Sequence, residues 1–146
     1  MGPIRNPWGN GMSLETLRAD FDLFDDWEDR YKYIIELGNA LKPLSASEHC
    51  DDNKVPGCVS QVWLVTEKQN DILSFRGDSD AHIVRGLIAI LLDLYSDRSP
   101  TDILAFDARA AFEQLGLGEH LTPQRSNGFY AMVQRIRNDA TASLEV

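Results

Sequence analysis

The sequence is poor in cysteine, and this limits the chemistry open to it. Its 146 residues include two cysteines, Cys50 and Cys58, which do not form a C-x-x-C pair. Two thiols are too few for the disulfide framework of a small secreted domain, and a structural zinc site needs four ligands. The sequence therefore favours thiol chemistry or packing at each cysteine over a structural disulfide or a dithiol redox enzyme.

Basic residues and long apolar runs are also scarce. Lys and Arg number 14 against 23 Asp and Glu, which gives a formal net charge of −9. Such a surface does not neutralise phosphates, so no nucleic-acid partner is expected. The chain has no run of about eighteen apolar residues for crossing a membrane and no secretory signal pattern. We expect a cytoplasmic protein with no membrane contact, whose partners are proteins or small molecules.

The length of the chain matches one globular domain. Residues 1–11 are rich in Gly, Pro and Asn, and they are expected to be a disordered leader or a cloning remnant. We therefore expect a single domain over residues 12–146.

Apolar periodicity, N-cap residues and prolines predict six helices. They are residues 13–24, 27–41 and 81–94, a short helix from Ser99-Pro100, another from Asp107 to Gly116, and a last helix from Thr122-Pro123 that frays after Asp139. Two strands are predicted at residues 62–66 and 72–76, with a turn at 67–71, and a third strand before Cys58 is left open. Residues 44–57 are expected to form a long surface loop. These elements predict an α+β fold, with several helices packed on one face of a small antiparallel sheet of two to three strands.

Three expectations concern particular residues within these elements. Gly86, inside the most apolar helix, costs about 1 kcal/mol against Ala, which predicts close packing against a neighbouring backbone. Asp78 and Asp80 are interpreted first as caps of that same helix. Arg135 and Arg137 of the last helix are expected to face solvent.

Cys58 is the leading candidate for chemistry because of its place in the chain. Pro56 and Gly57 make a turn immediately before it, and a strand follows. A thiol at the tip of a constrained loop can be presented to a partner and withdrawn, and backbone amides of the turn lie nearby to favour the thiolate. Packing as a small buried apolar residue is the competing interpretation.

The other candidates are weaker. Cys50 lies in the polar loop, and His49, His82 and His120 are too generic to name as a base, so structural roles are favoured for them. Arg125 lies in the first turn of the last helix, where the helix dipole disfavours a cation. Another interaction must compensate, and the two alternatives are a buried carboxylate and recognition of an anion or persulfide.

Four separated motifs carry a resemblance to a known family. The chain resembles the SufE family of sulfur acceptors, which includes CsdE-like proteins, over nearly all of residues 14–140. The motifs are Trp27-Glu28-Asp29-Arg30-Tyr31 with residues 33–38, Gly57-Cys58-Val59-Ser60-Gln61-Val62-Trp63, Gly77-Asp78-Ser79-Asp80-Ala81 with residues 83–89, and residues 120–126. Val59 departs from the Gln that more often follows the cysteine in this family.

The resemblance implies a fold, a function and a site. The fold would be SufE/IscU-like. The protein would not be an enzyme but an accessory that accepts persulfide sulfur on Cys58, stimulates its donor and needs no cofactor. The donor would be a pyridoxal-phosphate cysteine desulfurase of SufS or CsdA type, and the recipient the SUF scaffold complex for iron–sulfur assembly. Gly57, Ser60, Gln61, Asp80 and Arg125 would support Cys58 or contact the partner.

An alternative of another class is an iron–sulfur scaffold or metal-binding protein. Its ligands would be Cys50, Cys58 and His49, in an H-C-x7-C arrangement. This set is smaller and less regularly spaced than cluster and zinc sites require.

Overall fold

The computed structural model describes residues 14–58 and 60–144. The expected leader at residues 1–11 lies outside the described residues, and the single-domain boundaries stay a prediction. The helices and strands are, in chain order, α1 (Leu14–Asp22), α2 (Trp27–Asn39), β1 (Val62–Gln69), β2 (Ile72–Ser79), α3 (His82–Tyr95), α4 (Pro100–Ala105), α5 (Ala108–Gln114), α6 (Leu117–His120) and α7 (Pro123–Leu144). The predicted α+β fold is confirmed, while the one-turn helix α6 was not predicted.

Three helices begin where short-range capping signals predict. Asp26, Ser99 and Asp107 each accept a hydrogen bond from the backbone N–H three residues later, at 2.9, 3.1 and 3.0 Å. These contacts satisfy backbone donors that the first helical turn leaves without a partner. The starts of α2, α4 and α5 therefore follow from local sequence.

The hairpin is longer and its turn tighter than predicted. β1 and β2 pair antiparallel from Val62↔Ser79 to Gln69↔Ile72. This leaves Asn70 and Asp71 as the turn, and Asn70 adopts a positive φ of 59°, which Asn tolerates better than most residues. The predicted turn at residues 67–71 is wrong because cross-strand pairing continues through Glu67 and Lys68.

The segment interpreted as a helix cap is the end of β2. Gly77, Asp78 and Ser79 belong to the strand, and α3 begins after Ala81 without a side-chain cap. A Cβ on Gly77 would lie 2.8 Å from side-chain atoms of both Ile88 and Leu64. The glycine is therefore needed for close packing of α3 on the hairpin, and the interpretation of Asp78 and Asp80 as caps is wrong.

The two faces of the hairpin are covered differently. Val62, Leu64, Leu73 and Phe75 are buried on the inner face, where α3 packs against β2. The outer face carries Trp63, Val65, Arg76 and Asp78. It is contacted by residues 44–55, called the strap below, which contain two single-turn 3-10 helices at Ala46–Glu48 and Asp51–Asn53. The predicted surface loop is thus anchored, with Leu44 and Val55 buried at its two ends.

Two glycines bring α2 and α3 into backbone contact. A Cβ on Gly86 would lie 2.1 Å from the carbonyl oxygen of Ile34, and one on Gly38 would lie 2.5 Å from the backbone nitrogen of Gly86. The predicted close packing at Gly86 is confirmed.

The last helix is bound to its neighbours along its length. Arg135 contacts Asp139 and the Leu64 carbonyl, and Arg137 donates to the Leu104 carbonyl at 3.0 Å. The prediction that both arginines face solvent is therefore wrong. The predicted fraying after Asp139 is also wrong, since α7 continues to Leu144 and buries Ala140 completely.

Candidate functional site

Cys58 follows a turn that requires glycine. Gly57 has a φ of +88°, a conformation that side chains with a Cβ rarely adopt. The Pro56-Gly57 turn redirects the chain toward α7, where a Cβ on Gly57 would already lie 3.4 Å from the Cβ of Ala131. The turn therefore sets the direction in which the thiol is presented.

Backbone hydrogen bonds close the cysteine loop, residues 56–61, at both ends. The Val55 N–H donates to the Val62 carbonyl at 2.8 Å. On the other side, the Gln61 N–H donates to Asp80 Oδ1 at 3.1 Å, and the Asp80 N–H donates to the Gln61 carbonyl at 3.3 Å. The loop between these contacts is thus held by a small number of hydrogen bonds at its stem.

The half-buried side chain of Cys58 lines a cavity of about 210 Å³ between the loop, α3 and the start of α7. Its wall is apolar on the helix side and polar toward the loop and the first turn of α7. The apolar lining residues are Val84, Leu87, Phe129 and Met132, and the polar ones are Ser60, Thr122, Gln124 and Arg125.

The thiol is protonated in this position. Burial raises the pKa of the Cys58 thiol above its ordinary value, and Sγ lies 3.7 Å from the Gly128 carbonyl oxygen, which accepts its hydrogen bond. An acceptor favours the neutral S–H form. The hydrogen bond to Gly128 therefore does not supply the expected activation of the thiolate.

Arg125 reaches the cavity without a carboxylate partner among the described residues. Its guanidinium carbon lies 5.7 Å from the centre of the Tyr31 ring, within the range of a cation–π interaction. The Tyr31 ring therefore supplies the compensating interaction, and the predicted buried carboxylate is not found in the described part of the chain.

The predicted site residues fall into two groups. Cys58, Ser60 and Arg125 line one cavity, and Gly57, Gln61 and Asp80 belong to the loop or its stem. Val59 lies outside the described residues. Cys50 and His49 do not line the cavity; Cys50 is a half-buried free cysteine that precedes the second 3-10 turn of the strap.

His49 is engaged at both ring nitrogens. Its Nδ1 lies 2.8 Å from the Ser45 carbonyl oxygen, and its Nε2 lies 2.8 Å from Asp78 Oδ2. Both partners accept hydrogen bonds, so the two bonds form together when the ring is an imidazolium, which has no lone pair for a metal. Within residues 14–58 and 60–144, no three His, Cys, Asp or Glu side chains form a possible metal site. The ligand set of the alternative function is therefore not assembled.

Sequence reasoning missed the cavity wall contributed by α7. Phe129 and Met132 belong to the buried stripe predicted for the last helix, but their contact with the cysteine cavity depends on how the helix packs. Gly128 could have indicated this contact, because a glycine inside a helix lowers the stability of the helix relative to Ala. A Cβ there would lie 3.8 Å from Cys58 Sγ, so the glycine leaves room beside the thiol.

Comparisons with known proteins agree with this architecture. The family model described as "SufE: Fe-S metabolism associated domain" matches residues 15–140. An uncharacterized SufE-like protein of Rhizobium etli is 54% identical over 132 residues, which cover 88% of this chain and 89% of that protein. One from Rhizobium meliloti is 46% identical over 136 residues, covering 90% and 97% of the two chains. The chain therefore belongs to the SufE family, and its role lies in Fe–S metabolism.

A solved structure shares the fold. The solution structure of a hypothetical protein from Thermus thermophilus covers 91% of this chain and 96% of its own, with a TM-score of 0.74 at 18% identity. Across the stretches 14–58 and 60–144, no helix combines the length and apolar character needed to cross a membrane.

Proposed function

We propose that the protein is a sulfur carrier that accepts sulfane sulfur on Cys58 and shields it in the adjoining cavity. One observation carries the proposal: the Cys58 thiol lies at the wall of a cavity of about 210 Å³, on a loop held at its stem by a few hydrogen bonds. A packing cysteine needs no such space beside it. Membership of a family associated with Fe–S metabolism supports the same role.

The transfer chemistry needs no oxidant or reductant. The Cys58 thiolate attacks the terminal sulfur of a persulfide on the donor protein and displaces the donor's thiolate. One S–S bond breaks and one forms, so Cys58 becomes a persulfide. The proton that Cys58 loses on ionising is balanced by protonation of the released donor thiolate. A second attack by a recipient thiolate returns Cys58 to its starting state.

The cavity has room to protect the product. Its volume is several times the roughly 30 Å³ that one water molecule occupies in the liquid, whereas the transferred sulfur is a single atom. The apolar wall formed by Leu87, Phe129 and Met132 would limit access of water and reductants to the sulfur. Arg125 lines the same space and would stabilise the persulfide anion.

The partners follow from this chemistry. The donor is proposed to be a pyridoxal-phosphate cysteine desulfurase of SufS or CsdA type, which the carrier stimulates by removing its persulfide, and the recipient a SUF-type scaffold complex. The protein would bind both the donor and the recipient in the cytoplasm. The protein then acts as an accessory that carries a covalent intermediate, without a cofactor of its own.

Sulfur loading by mass spectrometry tests the proposal. Incubated with a SufS-type desulfurase and free cysteine, the protein should gain the mass of one sulfur atom on the peptide that contains Cys58, and dithiothreitol should remove it. Omitting free cysteine is the control. If the protein gains no sulfur from a desulfurase of the SufS type or of the CsdA type, the carrier function is ruled out.

Removing the Asp80 side chain is expected to expose Cys58. In Asp80→Ala the Gln61 N–H loses its acceptor, and loss of one hydrogen bond of about 1 kcal/mol shifts the opening equilibrium about fivefold. The rate of Cys58 alkylation by iodoacetamide should rise by that factor, as measured by peptide mass spectrometry.

Asp80→Asn is the matched control because its amide oxygen still accepts from Gln61. It should alkylate at nearly the wild-type rate. Equal rates for the Ala and Asn variants would show that this contact does not hold the loop.

Arg125→Ala is expected to slow sulfur transfer about tenfold, because a charge-assisted contact to the persulfide is worth about 1.5 kcal/mol. Its stability should fall by only about 1 kcal/mol, the value of the contact with Tyr31. Single-turnover transfer and thermal unfolding measure the two effects. Arg125→Lys, which keeps the charge, should restore part of the rate, and an unchanged rate in Arg125→Ala would remove Arg125 from the site.

A further inference from the structure

The strap is fixed to the outer face of the hairpin by two adjacent acid–base contacts. Arg76 donates from both terminal nitrogens to the carboxylate of Glu48, and its Nε donates to Glu67 at 2.8 Å. These contacts and the Ser45 N–H hold the pKa of Glu48 down at about 2. One position further along, His49 contacts Asp78. The strap is thus held at its centre by charges as well as at its ends by burial.

His49 connects the strap to the stem of the cysteine loop. Its ring packs edge-on against the Trp63 ring, with centroids 4.8 Å apart. Trp63 is the bridge partner of Lys54, next to the Val55–Val62 hydrogen bond that closes the loop. The same histidine therefore touches both strands at the point where the strap ends and the cysteine loop begins.

The imidazolium is held by three kinds of contact. Asp78 accepts from Nε2 and the Ser45 carbonyl accepts from Nδ1, while Glu48 adds a nearby negative charge. On the other side of the carboxylate, Arg85 Nε lies 3.2 Å from Asp78 Oδ1 without forming a hydrogen bond. A neutral imidazole has one N–H and would lose one of the two hydrogen bonds.

We infer that His49 is a positioning residue whose imidazolium clamps the strap to the hairpin and thereby keeps Cys58 in its cavity. When the His49 ring loses its second N–H proton, the strap and the stem at Trp63 become less tightly held, and the cysteine loop opens more often. The consequence for sulfur transfer rests on the proposed function, whereas the exposure of Cys58 does not.

The direction of the pH effect follows from the contacts. The hydrogen bond to Asp78, followed by that to Ser45, raises the pKa of His49 above its ordinary value of about 6.5. The clamp is therefore complete below about pH 6.5 and is lost as pH rises through the raised pKa. Cys58 should be better protected in acid than in base.

Two variants imitate the two states of the ring. His49→Arg keeps a permanent cation with several donors, and His49→Gln keeps one neutral donor group, like the deprotonated ring. Alkylation of the full-length protein by iodoacetamide is measured from about pH 5.5 to about pH 8.5. Rates are compared between variants at the same pH, which cancels the change in thiolate fraction at Cys58, and the rate at Cys50 is divided by that of the same peptide in the unfolded variant to remove the effect of its changed neighbour. Lys54 separates the cysteines onto different tryptic peptides, so Cys50 reports on the strap and Cys58 on the loop.

The expected result is a crossover. The Gln variant should react about fivefold faster than the Arg variant at Cys58, and the wild type should match the Arg variant near pH 5.5 and move toward the Gln variant as pH rises. A wild-type rate with constant ratios to both variants overturns the inference. So does an effect confined to Cys50, which would show that the strap moves without the loop. Sulfur loading of the wild type at one pH tests the carrier function separately.

Discussion

Replacing Cys58 by serine is expected to abolish sulfur acceptance while leaving the fold intact. The hydroxyl is nearly the same size as the thiol and can donate to the Gly128 carbonyl in its place. It does not form a persulfide, because the thiolate is the nucleophile in the exchange. Loading by the desulfurase should fall by at least about a hundredfold, the loss typical of removing an essential nucleophile, as measured by intact and peptide mass spectrometry.

Cys50→Ser is the matched control for this experiment. Cys50 is the other described cysteine, it is half-buried, and it does not line the cavity. This variant should load sulfur and stimulate the desulfurase like the wild type. If Cys58→Ser still loads sulfur, or if loading is lost in Cys50→Ser instead, the assignment of the acceptor is wrong.

Adding a single methyl group at Gly86 is expected to have the largest effect on stability. In Gly86→Ala the new Cβ would lie 2.1 Å from the Ile34 carbonyl oxygen, so α2 and α3 must separate. Overpacking of this kind costs up to about 3 kcal/mol even after the better helix propensity of Ala is counted. The melting temperature should fall by about 10 °C, as followed by circular dichroism.

The same substitution at Gly128 provides the control. Among the described residues outside its own helix backbone, the atom that a Cβ there would meet is Cys58 Sγ, at an ordinary contact distance of 3.8 Å. Gly128→Ala should therefore unfold at the wild-type temperature or above it, since Ala favours the helix. An unchanged melting temperature in Gly86→Ala would contradict the close crossing of α2 and α3.

Local signals along the chain account for much of the fold. Asp26, Ser99 and Asp107 mark helix starts correctly because each cap contacts a backbone N–H only three residues away. The prediction at the end of β2 is wrong because the side-chain oxygens of Asp78 and Asp80 resemble helix caps, whereas the strand continues to Ser79. Gly77 leaves room there for Ile88 and Leu64, a contact between distant parts of the chain that local propensity does not contain.

The candidate site was predicted only in part for the same reason. The Pro56-Gly57 turn and the family motif indicated Cys58 as the candidate from neighbouring residues. The carbonyl of Gly128 comes from 70 positions away, and the contact between His49 and Asp78 spans 29 positions. Such partners depend on how helices and strands pack together, and the pattern of either segment alone does not reveal them.

The attachment of α7 limits which wall of the cavity can move. Asp139 accepts a hydrogen bond from Thr66 at 2.6 Å, and Arg137 binds the α4 backbone, so the helix that forms one wall of the cavity is fixed to the rest of the molecule. The cysteine loop, whose described attachments are the hydrogen bonds at its stem and the one from Cys58 to the Gly128 carbonyl, is the wall proposed to move. Under the proposed function, donor and recipient must then approach through the same opening. They would exclude each other, and the carrier would have to leave one partner before it meets the next.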